Sequence, residues 1–266
     1  MTLDLPYLTF CPPHPYTIPP KEGYYGIPRH WPSAIEIDSA ATQTLKKVSK
    51  EVEKEFTTVF NETLVEHGRK NEKVDNAFRV VSDKTVIYNY FDFDANEKTS
   101  ENPERIYIGH CFEEAPLDKE WTKKIQTHQV RLLVTLGTFL SNRVDVLEKI
   151  IKACKAYDPD ALIIVSAGGN VGKLDAYSSS TVIIEEFVPQ IALMPYMDAV
   201  IFHGGCNTFT EAMYYGKPMI ILPFSSDQFN ISYDAERYQL APILDPNHFK
   251  EEELVYSLKE IMQKSN

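Results

Sequence analysis

The carboxyl-terminal half of this 266-residue chain alternates short apolar segments with amphipathic ones, and this order constrains the fold more than any other feature. The apolar segments predict strands at Arg131–Leu136, Ala161–Val165, Thr181–Ile184, Ala199–Phe202 and Met219–Leu222. The remaining segments predict helices at Asn142–Tyr157, Ile191–Tyr196, Asn207–Tyr215, Gln228–Gln239 and Glu251–Lys264. This alternation indicates an α/β fold with a doubly wound, Rossmann-like parallel sheet. Such sheets bind ligands at the carboxyl ends of their strands, so we expect the functional residues in the loops there.

The amino-terminal half predicts fewer regular elements. An apolar run, Leu5–Phe10, predicts a strand, and a proline-rich irregular stretch continues to residue 37. Apolar residues then recur at three- and four-residue steps and predict a long helix from Asp38 to about His67; they are Ala41, Leu45, Val48, Val52, Phe56 and Val59. A short coiled coil would use the same pattern, but we expect this helix to pack against a sheet.

Two further segments of the amino-terminal half predict buried strands. Lys84–Tyr90 and Arg105–Ile108 carry β-branched and aromatic residues, and the acidic loop Asp92–Glu104 separates them. The charged, proline-broken stretch Glu113–Asp118 predicts a linker. We therefore expect one domain with its linker over residues 1–120 and a second domain over residues 121–266.

Composition limits the classes of partner. The chain has 38 Asp and Glu against 27 Lys and Arg, a net charge of -11, which argues against nucleic-acid binding. Its cysteines are far apart, with neither Cys-x-x-Cys nor metal-ligand spacing, so we expect no metal site and a reducing cytosol; they are Cys11, Cys111, Cys154 and Cys206. The start lacks a signal-peptide pattern, and the longest apolar runs, such as Met219–Phe224, are too short for a membrane span. These features predict a soluble, cytoplasmic protein.

The most distinctive motif runs from a predicted strand end through two glycines into a helix, over His203–Glu211. Glycines let the backbone approach an anion, and Asn207 or Thr208 would cap a helix whose free N–H groups favour phosphate. His203 would donate a hydrogen bond to phosphate, and Glu211 would accept hydrogen bonds from ribose hydroxyls. An ordinary Gly-Gly turn before a capped helix would have the same spacing.

Three other loops carry weaker signals. Asp227–Gln228 suits sugar hydroxyls but also a helix cap, and Phe187–Gln190 suits a pyrimidine base, although Phe187 would equally be a core residue. Thr138, beside a glycine, would meet a second phosphate, whereas Gly168–Asn170 predicts only a turn.

The other histidines lack an obvious acid or nucleophile partner in the sequence. We therefore expect surface or structural roles for His14, His30, His67, His110, His128 and His248.

The motifs occur together, in order and closely spaced, as Phe187-x-Pro-Gln190, His203-x-Gly-x-Asn-Thr-x-x-Glu211, Gly216-x-Pro218 and Pro223-x-x-x-Asp227-Gln228. This set resembles the donor-binding signature of nucleotide-sugar-dependent glycosyltransferases that glycosylate small molecules, a family with the two-domain GT-B fold. The resemblance is strong over residues 131–264. Residues 1–112 resemble only the latter part of the family's acceptor-binding domain, so the amino-terminal α/β domain is expected to be partial and the carboxyl-terminal one complete.

The resemblance implies a role for each matched residue. The base would stack on Phe187, which stands where plant members carry tryptophan, and it would lie beside the Val188 backbone. The ribose would be held by Gln190 and Glu211, and the sugar by Asp227 and Gln228. The diphosphate would contact His203, Gly205, Asn207, Thr208 and Thr138. The implied donor is a UDP-sugar or TDP-sugar, with no other cofactor and no metal.

The implied reaction is inverting transfer of a hexose to a hydroxyl of a small or lipid-like acceptor. The family's catalytic histidine lies in a loop that this chain does not match, so no catalytic residue is identified. Three interpretations stay open: a fragment or shortened isoform of the enzyme, a donor-binding subunit completed by a partner chain, and a pseudoenzyme that only binds the sugar nucleotide. Sugar-nucleotide epimerisation on the same fold ranks below these three.

Overall fold

The computed structural model describes residues 7–93 and 104–264. These residues contain two sheets, each built of parallel strands. The first has three strands in the order β1-β2-β3, with β1 at Thr9–Cys11, β2 at Thr85–Tyr88 and β3 at Glu104–Tyr107. The second has five strands in the order β6-β5-β4-β7-β8. Its strands are β4 Arg131–Thr135, β5 Leu162–Ser166, β6 Val182–Glu185, β7 Ala199–Phe202 and β8 Met219–Ile221. The predicted α/β fold with a parallel sheet is therefore confirmed.

Among the described residues, six helices lie close to predicted positions, and three short ones, at Lys119–Ile125, Gly137–Leu140 and Val171–Leu174, were not predicted. Their bounds are α1 Ser39–Glu66, α2 Lys119–Ile125, α3 Gly137–Leu140, α4 Val144–Tyr157, α5 Val171–Leu174, α6 Gln190–Leu193, α7 Cys206–Tyr214, α8 Asp227–Arg237 and α9 Glu251–Lys264. Short 3₁₀ turns lie at Pro15–Thr17, Lys70–Glu72, Ala77–Arg79, Gly168–Asn170, Asp175–Tyr177 and Met194–Tyr196. Leu5 of the first predicted strand and residues 94–103 of the predicted acidic loop lie outside the described residues.

The two faces of the five-stranded sheet carry separate apolar clusters. Alternate residues of a strand point to opposite faces, so Leu132 and Val134 pack with α4 and α9, whereas Leu133 packs on the other side. The second cluster also contains Val86 and Tyr88 of β2. The three-stranded sheet thus shares a core with the five-stranded one.

The long helix α1 forms as predicted but packs differently. The Asp38 side chain caps it by accepting a hydrogen bond from the Ala41 amide at 2.6 Å. We expected the apolar stripe to lie against a sheet, and this prediction is wrong: it is largely exposed, at 39% for Leu45, 49% for Val48, 40% for Val52, 51% for Phe56 and 57% for Val59. The buried residues of α1 are instead Ser49 and Thr57, because the helix meets the protein body through its polar face.

The predicted strand Arg105–Ile108 is exposed rather than buried over its first two residues. In β3, Glu104, Arg105 and Ile106 are exposed, because β3 lies at an edge of the three-stranded sheet. Residues 111–118 have no regular secondary structure, and α2 begins at Lys119. The division of the chain near residue 120 stays a prediction.

Candidate functional site

The strand order of the five-stranded sheet places a crevice between β4 and β7. The chain runs from β4 outward through β5 and β6, then returns to β7 on the opposite side of β4. Parallel sheets bind ligands at such a switch point, outside the carboxyl ends of the strands. Gly137 and Thr138 begin α3 directly after β4, and the loop after β7 contains His203 and Gly205. Two predicted site segments therefore meet in this crevice.

The imidazole of His203 lies between two glycines. A Cβ atom built on Gly137 would lie 2.8 Å from His203 Nε2, and one on Gly205 would lie 2.5 Å from the same atom. Gly137 also has a φ of +70°, which other residues rarely adopt. Burial lowers the pKa of His203 to about 4, so the ring is neutral at pH 7. A hydrogen bond with the Thr135 backbone partly counteracts this shift in pKa.

Helix α7 begins one residue earlier than the sequence predicted. Its N-cap is Gly205, in an extended conformation, with no hydrogen bond from a capping side chain. The prediction that Asn207 or Thr208 caps this helix is therefore wrong, because both lie within its first turn. The uncapped N–H groups and the positive end of the helix dipole favour an anion at this position.

Three predicted binding residues form one hydrogen-bonded cluster beside α7. The Gln190 amide Nε2 donates to Glu211 Oε2 at 2.5 Å and to Thr208 Oγ1 at 3.1 Å. Glu211 is only 6% exposed, and burial raises the pKa of its carboxyl group, which the hydrogen bond from Gln190 partly counteracts. The loop after β6 and helix α7 thus bring these side chains together from 21 residues apart.

Phe187 and Val188 follow β6 on the same edge of the sheet. Phe187 is 68% exposed, so its interpretation as a core residue is wrong and its flat face is open to a ligand. Val188 is partly buried against the second apolar cluster. Thr138, in α3, is exposed, and the neighbouring Phe139, which the sequence analysis did not select, is 93% exposed.

Asp227 and Gln228 begin α8, after β8. The Oε1 atom of Gln228 accepts hydrogen bonds from the Phe224 amide at 2.9 Å and the Ser225 amide at 3.2 Å, so this side chain supports its own loop. Ser226, immediately before them, has a φ of 53°, which is strained for a serine. Burial raises the pKa of Asp227, and the backbone of His14 opposes this shift through a hydrogen bond.

His14 has an acid partner that the sequence analysis missed. It is 2% exposed, its Nδ1 accepts from the Tyr16 amide, and its Nε2 lies 3.0 Å from Asp234 Oδ2. The hydroxyl of Tyr90 donates to the same carboxylate oxygen at 3.0 Å. Because Asp234 lies 220 residues further along the chain, no local pattern indicates the pair. The contact holds the proline-rich segment against α8, the helix that Asp227 begins.

His248 also has an acid partner, Asp245, at 2.7 Å, but its side chain is 82% exposed.

Over residues 7–93 and 104–264, no group of three or more His, Cys, Asp or Glu would hold a metal ion. Within the same ranges, no helix combines the length and apolarity needed to cross a membrane.

Most of the chain matches known proteins. A family model described as UDP-glucoronosyl and UDP-glucosyl transferase matches residues 42–266. The chain is similar to demethyllactenocin mycarosyltransferase of Streptomyces fradiae, with 24% identity over 208 residues that cover 75% of this chain and 41% of that protein. It is also similar to UDP-glucuronosyltransferase 2A1 of Rattus norvegicus, with 31% identity over 148 residues, 54% of this chain and 27% of that protein. The chain thus spans less than half the length of these two relatives.

Solved structures show the same architecture. The glycotransferase of kitacinnamycin has a TM-score of 0.63 at 18% identity, over 84% of this chain and 59% of that one. The glycosyltransferase VinC, in complex with dTDP, has a TM-score of 0.54 at 20% identity, over 74% of this chain and 49% of that one. At such identities the likeness shows the fold alone, which is the GT-B fold that the motifs implied.

Proposed function

Because the chain belongs to the UDP-glucoronosyl and UDP-glucosyl transferase family, we propose that it binds a UDP-sugar or TDP-sugar and transfers the hexose to a hydroxyl of a small or lipid-like acceptor. The observation that carries the proposal is the cluster of Gln190, Thr208 and Glu211 beside the uncapped start of α7. A buried carboxylate next to a free helix terminus matches a ligand that carries a diol and a diphosphate.

The proposed donor lies along the carboxyl edge of the five-stranded sheet. The base stacks on exposed Phe187 beside the Val188 backbone, and the ribose hydroxyls donate to Glu211. The diphosphate lies at the start of α7, near His203 and the Gly137–Thr138 turn.

The sugar in this arrangement reaches Asp227 and Gln228. Because Gln228 uses its Oε1 within its own loop, its Nε2 is the atom proposed to meet the sugar.

In the proposed reaction the oxygen of the acceptor hydroxyl forms a bond to the anomeric carbon as the bond to the diphosphate breaks, with inversion, and the hydroxyl proton passes to a general base. Negative charge grows on the diphosphate as the bond to the sugar breaks, and the start of α7 is oriented to stabilise it. Neutral His203 adds a hydrogen bond without requiring a buried positive charge.

A second candidate function is a donor-binding subunit completed by a partner chain. The exposed stripe of α1, the exposed Phe10 and Ile106 of the three-stranded sheet, and the exposed Leu8 just before β1 favour it. Parallel sheets are normally covered on both faces, so we propose a further α/β polypeptide segment as the occupant. Light scattering of the isolated chain tests this proposal: self-association or aggregation is expected, and a monomer that transfers sugar unaided would overturn it.

Calorimetric titration tests donor binding. UDP-glucose and dTDP-glucose are titrated into the wild-type chain, Glu211→Ala and the exposed control Glu252→Ala. Loss of the buried carboxylate should weaken the binding of the better donor, the one with the higher affinity for wild type, by about 10-fold or more. Hydrogen bonds to charged groups contribute about 1.5–3 kcal/mol. The control should bind like wild type. Equal affinity of the two variants would refute the assignment of Glu211.

Release of free nucleoside diphosphate separates an enzyme from a binder. The chain is incubated with the better donor and a panel of phenolic and lipid-like alcohols, with Glu211→Ala as the background. Release above that background supports transfer. Binding without release supports the subunit or the pseudoenzyme.

We also propose a cytoplasmic location. All four cysteines are unpaired, including the exposed Cys111, which suits a reducing compartment. Recovery of the full natural protein in a membrane or secreted fraction would contradict this proposal.

A further inference from the structure

A buried asparagine joins the amino-terminal sheet to the start of α7. Asn89 directly follows β2 and is 3% exposed. Its backbone N–H donates to the Cys11 carbonyl at 3.1 Å, and its carbonyl accepts from the Cys206 thiol at 3.2 Å. Its backbone is therefore held by β1 on one side and by the first residue of α7 on the other.

The side chain of Asn89 makes one directed hydrogen bond. Its Nδ2 donates to Asn207 Oδ1 at 3.1 Å, across 118 residues of sequence. Its own Oδ1 is buried and has no hydrogen-bond partner among residues 7–93 and 104–264. A buried acceptor without a partner destabilises the folded state, so stability alone does not explain an amide here.

The bond decides which end of the Asn207 amide faces outward. With Oδ1 held by Asn89, the Nδ2 donor of Asn207 turns away from that contact, and Asn207 itself is exposed in the first turn of α7. The reverse orientation would present an oxygen, which repels an anion, next to N–H groups that attract one.

We propose that Asn89 is a positioning residue for the diphosphate of the donor and acts by orienting the Asn207 amide. The inference rests on the proposed function, because it concerns the same donor site. It also makes the amino-terminal sheet a contributor to donor binding, although Asn89 itself need not touch the donor.

Three probes separate this role from a general effect on folding. UDP, UMP and uridine are titrated into wild type, Asn89→Ala, Asn89→Asp and Asn61→Ala. Asn61 is a matched control because its amide bonds to the Val74 backbone, in the α1 region. Asn89→Ala should weaken the binding of UDP by about 10-fold, while the affinity for uridine stays unchanged.

The isosteric change Asn89→Asp keeps the side-chain volume but leaves only acceptor atoms facing Asn207. It should reverse the Asn207 amide and weaken UDP at least as much as Asn89→Ala. A double-mutant cycle with the exposed Asn207→Ala should show that the second change adds little to the first. If Asn89→Ala does not fold, Asn89→Asp and Asn207→Ala give the same comparison.

The outcomes distinguish this inference from the proposed function. If wild type does not bind UDP, the proposed function and this inference both fail. If wild type binds UDP but the losses for UDP and uridine are equal, or the two asparagines act additively, only the positioning role is refuted.

Discussion

Replacing His203 by glutamine should change how the stability of the protein depends on pH. The pKa of this histidine is lowered from 6.5 to about 4 because burial disfavours the charged ring. Between pH 4 and pH 6.5 the unfolded chain binds a proton at this histidine more readily than the folded chain does. The contribution of the neutral ring to the free energy of unfolding is therefore fully present above pH 6.5 and is lost as the pH falls towards 4. From pH 7 to pH 5 the loss from this group is about 2 kcal/mol.

Urea unfolding at pH 5, 6 and 7 measures this effect. As the pH falls from 7 to 5, the free energy of unfolding of wild type should decrease by about 2 kcal/mol more than that of His203→Gln. Glu211 and Asp227 have raised pKa values and act in the opposite direction, but they are present in both proteins. The control is His67→Gln, at an exposed histidine that directly follows α1. Parallel curves for wild type and His203→Gln would refute a buried neutral imidazole.

Two other substitutions test the crevice. Gly137→Ala should destabilise the protein by more than about 1 kcal/mol in urea unfolding, because its φ is +70° and the new Cβ would meet His203; Gly169→Ala, which meets nothing within 4 Å, is the control, and equal losses would contradict the close contact. Phe187→Ala should leave thermal stability nearly unchanged but weaken the binding of uridine by about 5- to 150-fold in calorimetric titration, because base stacking contributes about 1–3 kcal/mol; unchanged affinity would remove Phe187 from the base site.

The carboxyl-terminal half was predictable from local patterns. Its strands and longer helices lie within one or two residues of the predicted bounds, because buried parallel strands read as short apolar runs between amphipathic helices. The candidate site followed from the same pattern, since parallel strands end at a common edge. Every predicted binding residue lies after β4, β6, β7 or β8.

Contacts between distant segments could not be predicted. The pair His14–Asp234 and the contact of Asn89 with Asn207 join residues more than 100 positions apart, and neither carries a local signal. The N-cap of α7 is Gly205 rather than Asn207 or Thr208 because backbone geometry, not the most suitable capping residue, decides where a helix begins. Phe187 is exposed rather than buried for a similar reason: an aromatic residue after a strand suits both environments.

The sequence by itself determined the α/β class, the order of the elements and the residue types at the sheet edge, because hydrophobic periodicity and glycine spacing are local properties. It also determined that α1 is amphipathic. Only the tertiary structure decided which face of α1 meets the protein body, that the ring of His203 lies between Gly137 and Gly205, and that the amino-terminal sheet reaches α7 through Asn89. These features depend on which surfaces the folded chain brings together, and burial and hydrogen bonding are set by that arrangement rather than by neighbours in sequence.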